Sequence, residues 1–105
     1  MEQYILEARL KPGRTAAAEQ MLATGPPFDP DDAGLSSHAA YLTDDAVYLV
    51  FEGEAARQTA LQLARRYVVD VSRWQEMVSG LPAKVAEVPP RARCVYRWEA
   101  GAADS

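Results

Sequence analysis

Histidine, cysteine and asparagine are scarce or missing in this chain of 105 residues, which holds one histidine, one cysteine and no asparagine. The lone cysteine, Cys94, excludes an intramolecular disulfide and any metal cluster built on thiolates. We expect Cys94 to be a small buried hydrophobe. Because His38 is the only histidine, any imidazole that acts as a general base in this chain has to be His38.

Positive charge and long apolar runs are scarce as well. The formal net charge of -4 leaves no basic field for a phosphate backbone, which argues against nucleic-acid binding. No apolar run reaches the roughly 20 residues that cross a bilayer, and residues 1–10 lack the basic head of a secretory signal. We therefore expect a soluble, cytoplasmic protein. The excess of arginine over lysine and the many alanines are typical of a GC-rich bacterial genome.

Signatures of metal, cofactor and nucleotide chemistry are missing too. Ser36 and Ser37 lack the flanking glycines of a nucleophile elbow, and no glycine-rich phosphate loop follows a strand. Asp29, Asp31 and Asp32 resemble the start of a calcium loop, but alanines stand where the third oxygen ligand and the closing carboxylate belong. We expect neither a metal nor a cofactor.

The chain instead shows a regular order of strands and helices, and its length suits one domain over residues 1–105. Alternation over residues 4–10 predicts a strand with Ile5, Glu7 and Arg9 on one side. The other side carries Tyr4, Leu6, Ala8 and Leu10. We expect this apolar side to meet the helices.

The middle of the chain predicts a helix, a loop and a hairpin. Residues 14–23 are rich in helix formers, and the glycines, prolines and aspartates of residues 24–34 predict a surface loop. Residues 35–42 and 46–52 are rich in aromatic and aliphatic side chains. The short polar residues 43–45 between them suit a tight connection, which predicts an antiparallel hairpin.

A second helix and a last strand complete the pattern. Apolar residues recur at helical spacing from Leu61 to Val78, with Trp74 on the core side, and β-branched residues predict a kink or restart near Asp70. Residues 93–99 alternate as a strand. The order is the βαββαβ arrangement of a ferredoxin-like α+β fold, in which two helices cover one face of a four-stranded antiparallel sheet with the first and third strands in its centre.

A family resemblance rests on three features of the chain. They are the Lys11-Pro12-Gly13 turn between a strand and a helix, the strand pair of residues 35–52, and the run from Trp74 through Gly80-Leu81-Pro82 to the closing strand. Together they resemble the dimeric α+β-barrel superfamily, which includes the antibiotic-biosynthesis-monooxygenase-like and stress-responsive barrel families. The resemblance implies a homodimer whose two sheets pack face to face and enclose a pocket in each half of the barrel.

The apolar second face of the sheet leads to the same expectation. Tyr48 and Val50 make the second face of the third strand apolar, and two helices can bury only one face. A second copy of the chain is therefore expected to cover the other face.

The superfamily includes cofactor-free monooxygenases acting on polycyclic phenols, haem-cleaving enzymes, isomerases and proteins without known activity. The haem-cleaving branch uses an asparagine, which this chain lacks.

Five side chains are candidates for a ligand pocket between the sheets: Glu7, Arg9, His38, Tyr48 and Arg97. His38 shares a side of its strand with alanine and leucine, a side that we expect to face the barrel interior. Arg9 would hold an anionic or phenolate oxygen, and Glu7 would orient the ligand beside it. His38 and Arg9 are the candidate catalytic residues. The structural alternatives are a strand histidine satisfied by a neighbouring backbone group and a cross-strand ion pair.

These observations predict a homodimer that binds a small apolar or aromatic molecule in a pocket between its sheets. Two alternatives remain open. The first is a cofactor-independent monooxygenase or isomerase, in which Arg9 or His38 stabilises a developing oxyanion. The second is a structural or regulatory accessory protein whose barrel is filled by side chains.

Overall fold

The computed structural model describes residues 2–26, 28–66, 73–80 and 82–101, and these residues form an α+β fold. Its elements are, in chain order, β1 (Glu2–Arg9), α1 (Thr15–Ala23), β2 (Leu35–Leu42), β3 (Ala46–Gly53), α2 (Ala56–Arg66), β4 (Ala83–Val85) and β5 (Arg93–Glu99). A third helical segment, whose described part is 73–75, precedes β4. Within these ranges no helix is long and apolar enough to cross a bilayer.

All five strands form one antiparallel sheet in the order β4-β1-β3-β2-β5. The expected four-stranded sheet with two helices is therefore wrong, since a fifth strand and a third helical segment are present. The strand that the sequence did not predict is β4, which pairs with Ile5, Leu6 and Glu7 of β1. Three residues are too few to show an alternation, so the sequence carries no pattern for this strand. β1 and β3 lie inside the sheet, as expected.

The last strand, β5, has the predicted bounds and lies at the edge of the sheet beside β2. A bulge interrupts this pairing, because Ala40 lies opposite Tyr96 while Tyr41 lies opposite Cys94. Cys94 is exposed, so the expectation of a buried thiol is wrong. An edge strand is covered less completely than an inner strand, and the Cys94 thiol donates only to the carbonyl oxygen of Tyr96, at 3.3 Å.

The hairpin of β2 and β3 confirms the predicted turn. The backbone N–H of Thr43 donates to the carbonyl oxygen of Ala46 at 2.9 Å, and its hydroxyl donates to Oδ1 of Asp45 at 3.0 Å. The register places Ala40 opposite Leu49 and Leu42 opposite Val47. The apolar residues of the two strands therefore share one face of the sheet.

Both long helices pack on that face, as the alternation of β1 predicts. Ala18 and Leu22 of α1 are buried against Leu10, Leu42 and Val47. Ala56 and Ala60 of α2 are buried against Tyr4, Leu35 and Phe51. The helices meet the sheet largely through alanine, so that their backbones approach it closely.

The opposite face, here called the second face, is covered by the chain itself. Segment 86–92 leads from β4 at one edge of the sheet to β5 at the other. Val88 and Ala92 of this segment pack on a buried cluster that includes Ile5, Tyr48 and Val50. A second copy of the chain is therefore not needed to bury this cluster, contrary to the expectation from the sequence. The homodimer itself stays a prediction.

The chain between α2 and β4 returns to the end of β1. The N–H groups of Met77 and Val78 donate to the carbonyl oxygen of Trp74, and Val78 bridges to Leu10. Trp74 is half-buried, whereas the sequence predicted a position on the core side of the helix. The predicted kink near Asp70 lies outside the described residues.

The covering role of segment 86–92 can be tested by placing a charge under it. Val88→Asp should lower the free energy of unfolding by roughly 1 to 3 kcal/mol, because the carboxylate loses hydration against the buried cluster. Urea titration measures this loss. The control is Ala86→Asp, an exposed position in the same segment, which should change the stability by about 0.5 kcal/mol or less. Equal effects of the two variants would contradict the packing of Val88.

Candidate functional site

A pocket of about 690 Å³ lies on the helix-covered face of the sheet. It is bordered by α1, by the loop after α1 and by the residues around Trp74. Most of its walls are apolar or aromatic and come from Ala17, Met21, Leu22, Pro26, Phe28, Ala40, Leu49, Phe51, Trp74, Met77 and Tyr96. Ligand pockets in proteins are typically about 300 to 1,000 Å³ and mostly apolar, so both the size and the lining fit a small molecule.

Small residues open this pocket. Ala17 on α1 and Ala40 on β2 leave room between the helix and the sheet, where larger side chains would fill the volume. After α1 the chain turns at Gly25, whose φ of 85° is a conformation that favours glycine. This turn brings the loop back over the sheet, and Phe28 reaches the ring of His38 with 5.5 Å between the ring centroids.

Gln20, Thr24, Arg73 and Tyr96 bring polar atoms to the lining, and the buried polar side chain on the sheet side is His38. It is 4% exposed, and its Nδ1 lies 2.9 Å from the carbonyl oxygen of Val50 on β3. Its ring contacts two further aromatic rings, with centroid distances of 4.6 Å to Phe51 and 5.8 Å to Tyr96. Apart from Tyr4 and Tyr48, His38 and Thr43 are the buried polar side chains of the described chain.

The environment of His38 keeps its ring neutral. Burial lowers the pKa of the imidazole because the charged form loses its hydration, and the carbonyl of Val50 opposes this shift only in part. A carbonyl oxygen can only accept, so we assign the ring proton to Nδ1. Nε2 then carries the lone pair. The ring is therefore a hydrogen-bond acceptor and a base.

His38 faces a different side of the sheet from the one expected from the sequence. His38 does share a side of β2 with Ala40 and Leu42, as predicted, but that side faces the helices instead of the second face. The pairing of Leu42 with Val47, both buried beneath α1, fixes this orientation. Alternation in the sequence determines which residues share a side, but not which side meets the helices.

Three of the other candidates form a polar network on the second face. The Tyr48 hydroxyl donates to Oε2 of Glu7 at 2.6 Å, and Arg9 lies 3.6 Å from Oε1 of Glu7 and 3.2 Å from Oδ2 of Asp45. Burial raises the pKa of Tyr48, and the bond to Glu7 raises it further. The Arg9 side chain is 59% exposed, so within one chain it pairs with Glu7 on its own strand and Asp45 in the β2–β3 turn and is not an enclosed group.

Arg97, the fifth candidate, lies on the second face at the sheet edge. Its Nη2 is 2.6 Å from Oε1 of Glu99, and the side chain is 63% exposed. It borders a smaller cavity of about 440 Å³ between segment 86–92 and the sheet. The five candidates are therefore divided between two faces, and one chain does not bring them into a single pocket.

Sequence reasoning did not identify the aromatic and thioether walls around His38. Phe28 lies in a stretch that predicts only a loop, and Met77 lies within the predicted second helix, so neither position carries a binding signal. Tyr96 belongs to a predicted strand, where aromatic residues are usually core. Among the described residues, no three histidine, cysteine, aspartate or glutamate side chains lie close enough together to hold a metal ion.

The neutral state of His38 predicts a pH-dependent stability. The folded state holds the pKa of His38 below the unfolded value of about 6.5, so the unfolded state binds more protons and stability falls as the pH is lowered through 6.5. One proton limits the slope to about 1.4 kcal/mol per pH unit. Urea titrations from pH 7.5 to 5.5 measure it. His38→Phe should flatten the profile, and an unchanged slope in that variant would contradict this interpretation.

Comparisons with known proteins identified no relative of this chain. No protein-family model, curated protein or solved structure matches the chain.

Proposed function

We propose that this protein binds a small, largely apolar and partly aromatic molecule in the pocket between α1 and the sheet. The observation that carries the proposal is a pocket of about 690 Å³ with apolar and aromatic walls and the buried, neutral His38 on its sheet side. Apolar walls supply most of the binding free energy, and a few polar groups, here with His38 among them, orient the ligand.

The chemistry of His38 selects among such ligands. With its proton held by Val50, the ring presents the lone pair of Nε2 as an acceptor. A hydroxyl or N–H group on the ligand would therefore be recognised at this atom, while a carboxylate oxygen would meet a second acceptor there. The favoured ligand is an aromatic molecule with a hydrogen-bond donor that reaches His38.

Membership of the dimeric α+β-barrel superfamily is part of this proposal. Four of the strands follow the order β4-β1-β3-β2 with both long helices on one face, which supports the ferredoxin-like interpretation. The predicted fourth strand, residues 93–99, is not one of these four, because it is β5 and lies beyond β2 as an addition to that arrangement. The proposed pocket lies between helices and sheet within one chain, so binding there does not require the expected homodimer.

A second function of the same pocket is catalysis without a cofactor, as a monooxygenase or isomerase. The neutral imidazole favours it, because the lone pair of a buried ring can accept a proton from a ligand hydroxyl or carbon acid. Arg9 lies on the second face and would take no part in this chemistry. The open volume of the pocket disfavours an accessory protein with a filled interior on this face.

Blocking the mouth of the pocket tests the proposed site. Ala17 is exposed on α1 and borders the pocket, so Ala17→Phe should reduce the affinity for 2-naphthol at least tenfold without disturbing the core. Quenching of tryptophan fluorescence reports binding, because Trp74 lines the pocket. Ala16→Phe, also exposed on α1 and outside the lining, is the matched control and should bind as the wild type does. Equal binding by both variants would place the ligand elsewhere.

The role of His38 is tested with a pair of ligands. The wild-type protein should prefer 2-naphthol to 2-methoxynaphthalene by about 0.5 to 1.5 kcal/mol, the usual net value of one hydrogen bond. His38→Phe should bind the two ligands equally, since its ring keeps the apolar wall but accepts no hydrogen bond. A preference that survives in His38→Phe would show that another group recognises the hydroxyl.

A further inference from the structure

The two edges of the sheet differ in how well they are protected from another strand. β4 forms one edge with three residues, carries Lys84 and follows Pro82, all of which discourage pairing with a second chain. β5 forms the other edge with seven residues and contains no proline. In the described part of the chain no further strand lies beyond β5. The β5 edge is therefore the one open to strand addition.

The backbone of β5 shows which groups this edge offers. The N–H of Ala100 donates to the carbonyl oxygen of Ser36 on the β2 side at 3.0 Å, and the pairing from Glu99 to Tyr96 continues without a shift. Hydrogen-bonded and non-hydrogen-bonded pairs alternate in an antiparallel ladder. The N–H and C=O groups of Trp98 therefore face β2, while those of Arg97 and Glu99 point away from the sheet.

The side chains of the same residues are self-complementary. Arg97 and Glu99 lie on the second face, are paired to each other and are 63% and 47% exposed. If a second copy of β5 runs antiparallel with its Trp98 opposite Trp98, each Arg97 lies opposite Glu99 of the other copy. Moving the axis to Arg97 or to Glu99 would instead place like charges opposite each other, which is unfavourable.

We propose that this protein forms a homodimer through β5, with a two-fold axis at Trp98 and one continuous sheet of ten strands. The outward N–H and C=O groups of Arg97 and Glu99 pair across the axis, and their side chains form a ring of four alternating charges. Trp98 lies opposite Trp98 at a non-hydrogen-bonded position, where side chains approach most closely. This edge-to-edge contact is different from two sheets packed face to face.

Charge reversal tests the contact and its register together. Arg97→Glu and Glu99→Arg each place like charges on both sides of the axis, so each variant should be monomeric in light scattering at 50 μM, where the wild type gives twice the chain mass. The double variant restores opposite charges and should dimerise again. A mixture of the two single variants should form a heterodimer, because one chain then carries only glutamates at these two positions and the other only arginines. Opposite charges face each other at both contacts of that heterodimer.

Two outcomes would overturn the proposal. A wild-type monomer at 50 μM would remove the contact, and a dimer that neither reversal weakens would place the interface on another surface. The mixed sample distinguishes the contact between two chains from the Arg97–Glu99 ion pair within one chain. Neither single variant regains that ion pair within its own chain on mixing, so a dimer in the mixture has to come from charges that pair across the interface. Lys84→Glu reverses a charge on the opposite edge and should leave the mass unchanged. Circular dichroism of every variant checks that it is folded.

Discussion

Burial of β3 on both of its faces is the constraint on which the rest of the structure depends. Val47 and Phe51 lie under the helices, while Tyr48 and Val50 lie under segment 86–92. Two helices can cover only the first face, so the chain after β4 has to cross the second. That crossing carries it to the far edge of the sheet, where β5 pairs with β2.

The pocket arises from the way the helices meet the sheet. Alanines on α1 and β2 bring the helix close to the sheet without filling the space beside it, and longer apolar side chains surround the volume that remains. His38 can lie in this environment because its proton is bound by the backbone of the neighbouring strand. Burying a polar ring without a hydrogen bond would lower the stability of the fold, and the bond to Val50 offsets this loss.

Much of the fold could be predicted from the sequence, and the site could be predicted only in part. The bounds of β2 and β5 and the alternation of β1 follow from runs long enough to show a period of two. β4 has no such run. The direction of His38 and the exposure of Cys94 depend on which strands become neighbours, and that is decided by long-range packing instead of local pattern. The aromatic wall around His38 likewise comes from three separate parts of the chain.

The sequence separation of the strand pairs sets the order in which the molecule can assemble. β2 and β3 are adjacent in the chain and can pair early. The pairing of β4 with β1 and of β5 with β2 has to wait for residues 83–99. During synthesis the hairpin is therefore apolar on both faces while the segment that covers one of them is still within the ribosome. Such an intermediate is prone to association, because α1 and α2 can cover only one of its two apolar faces.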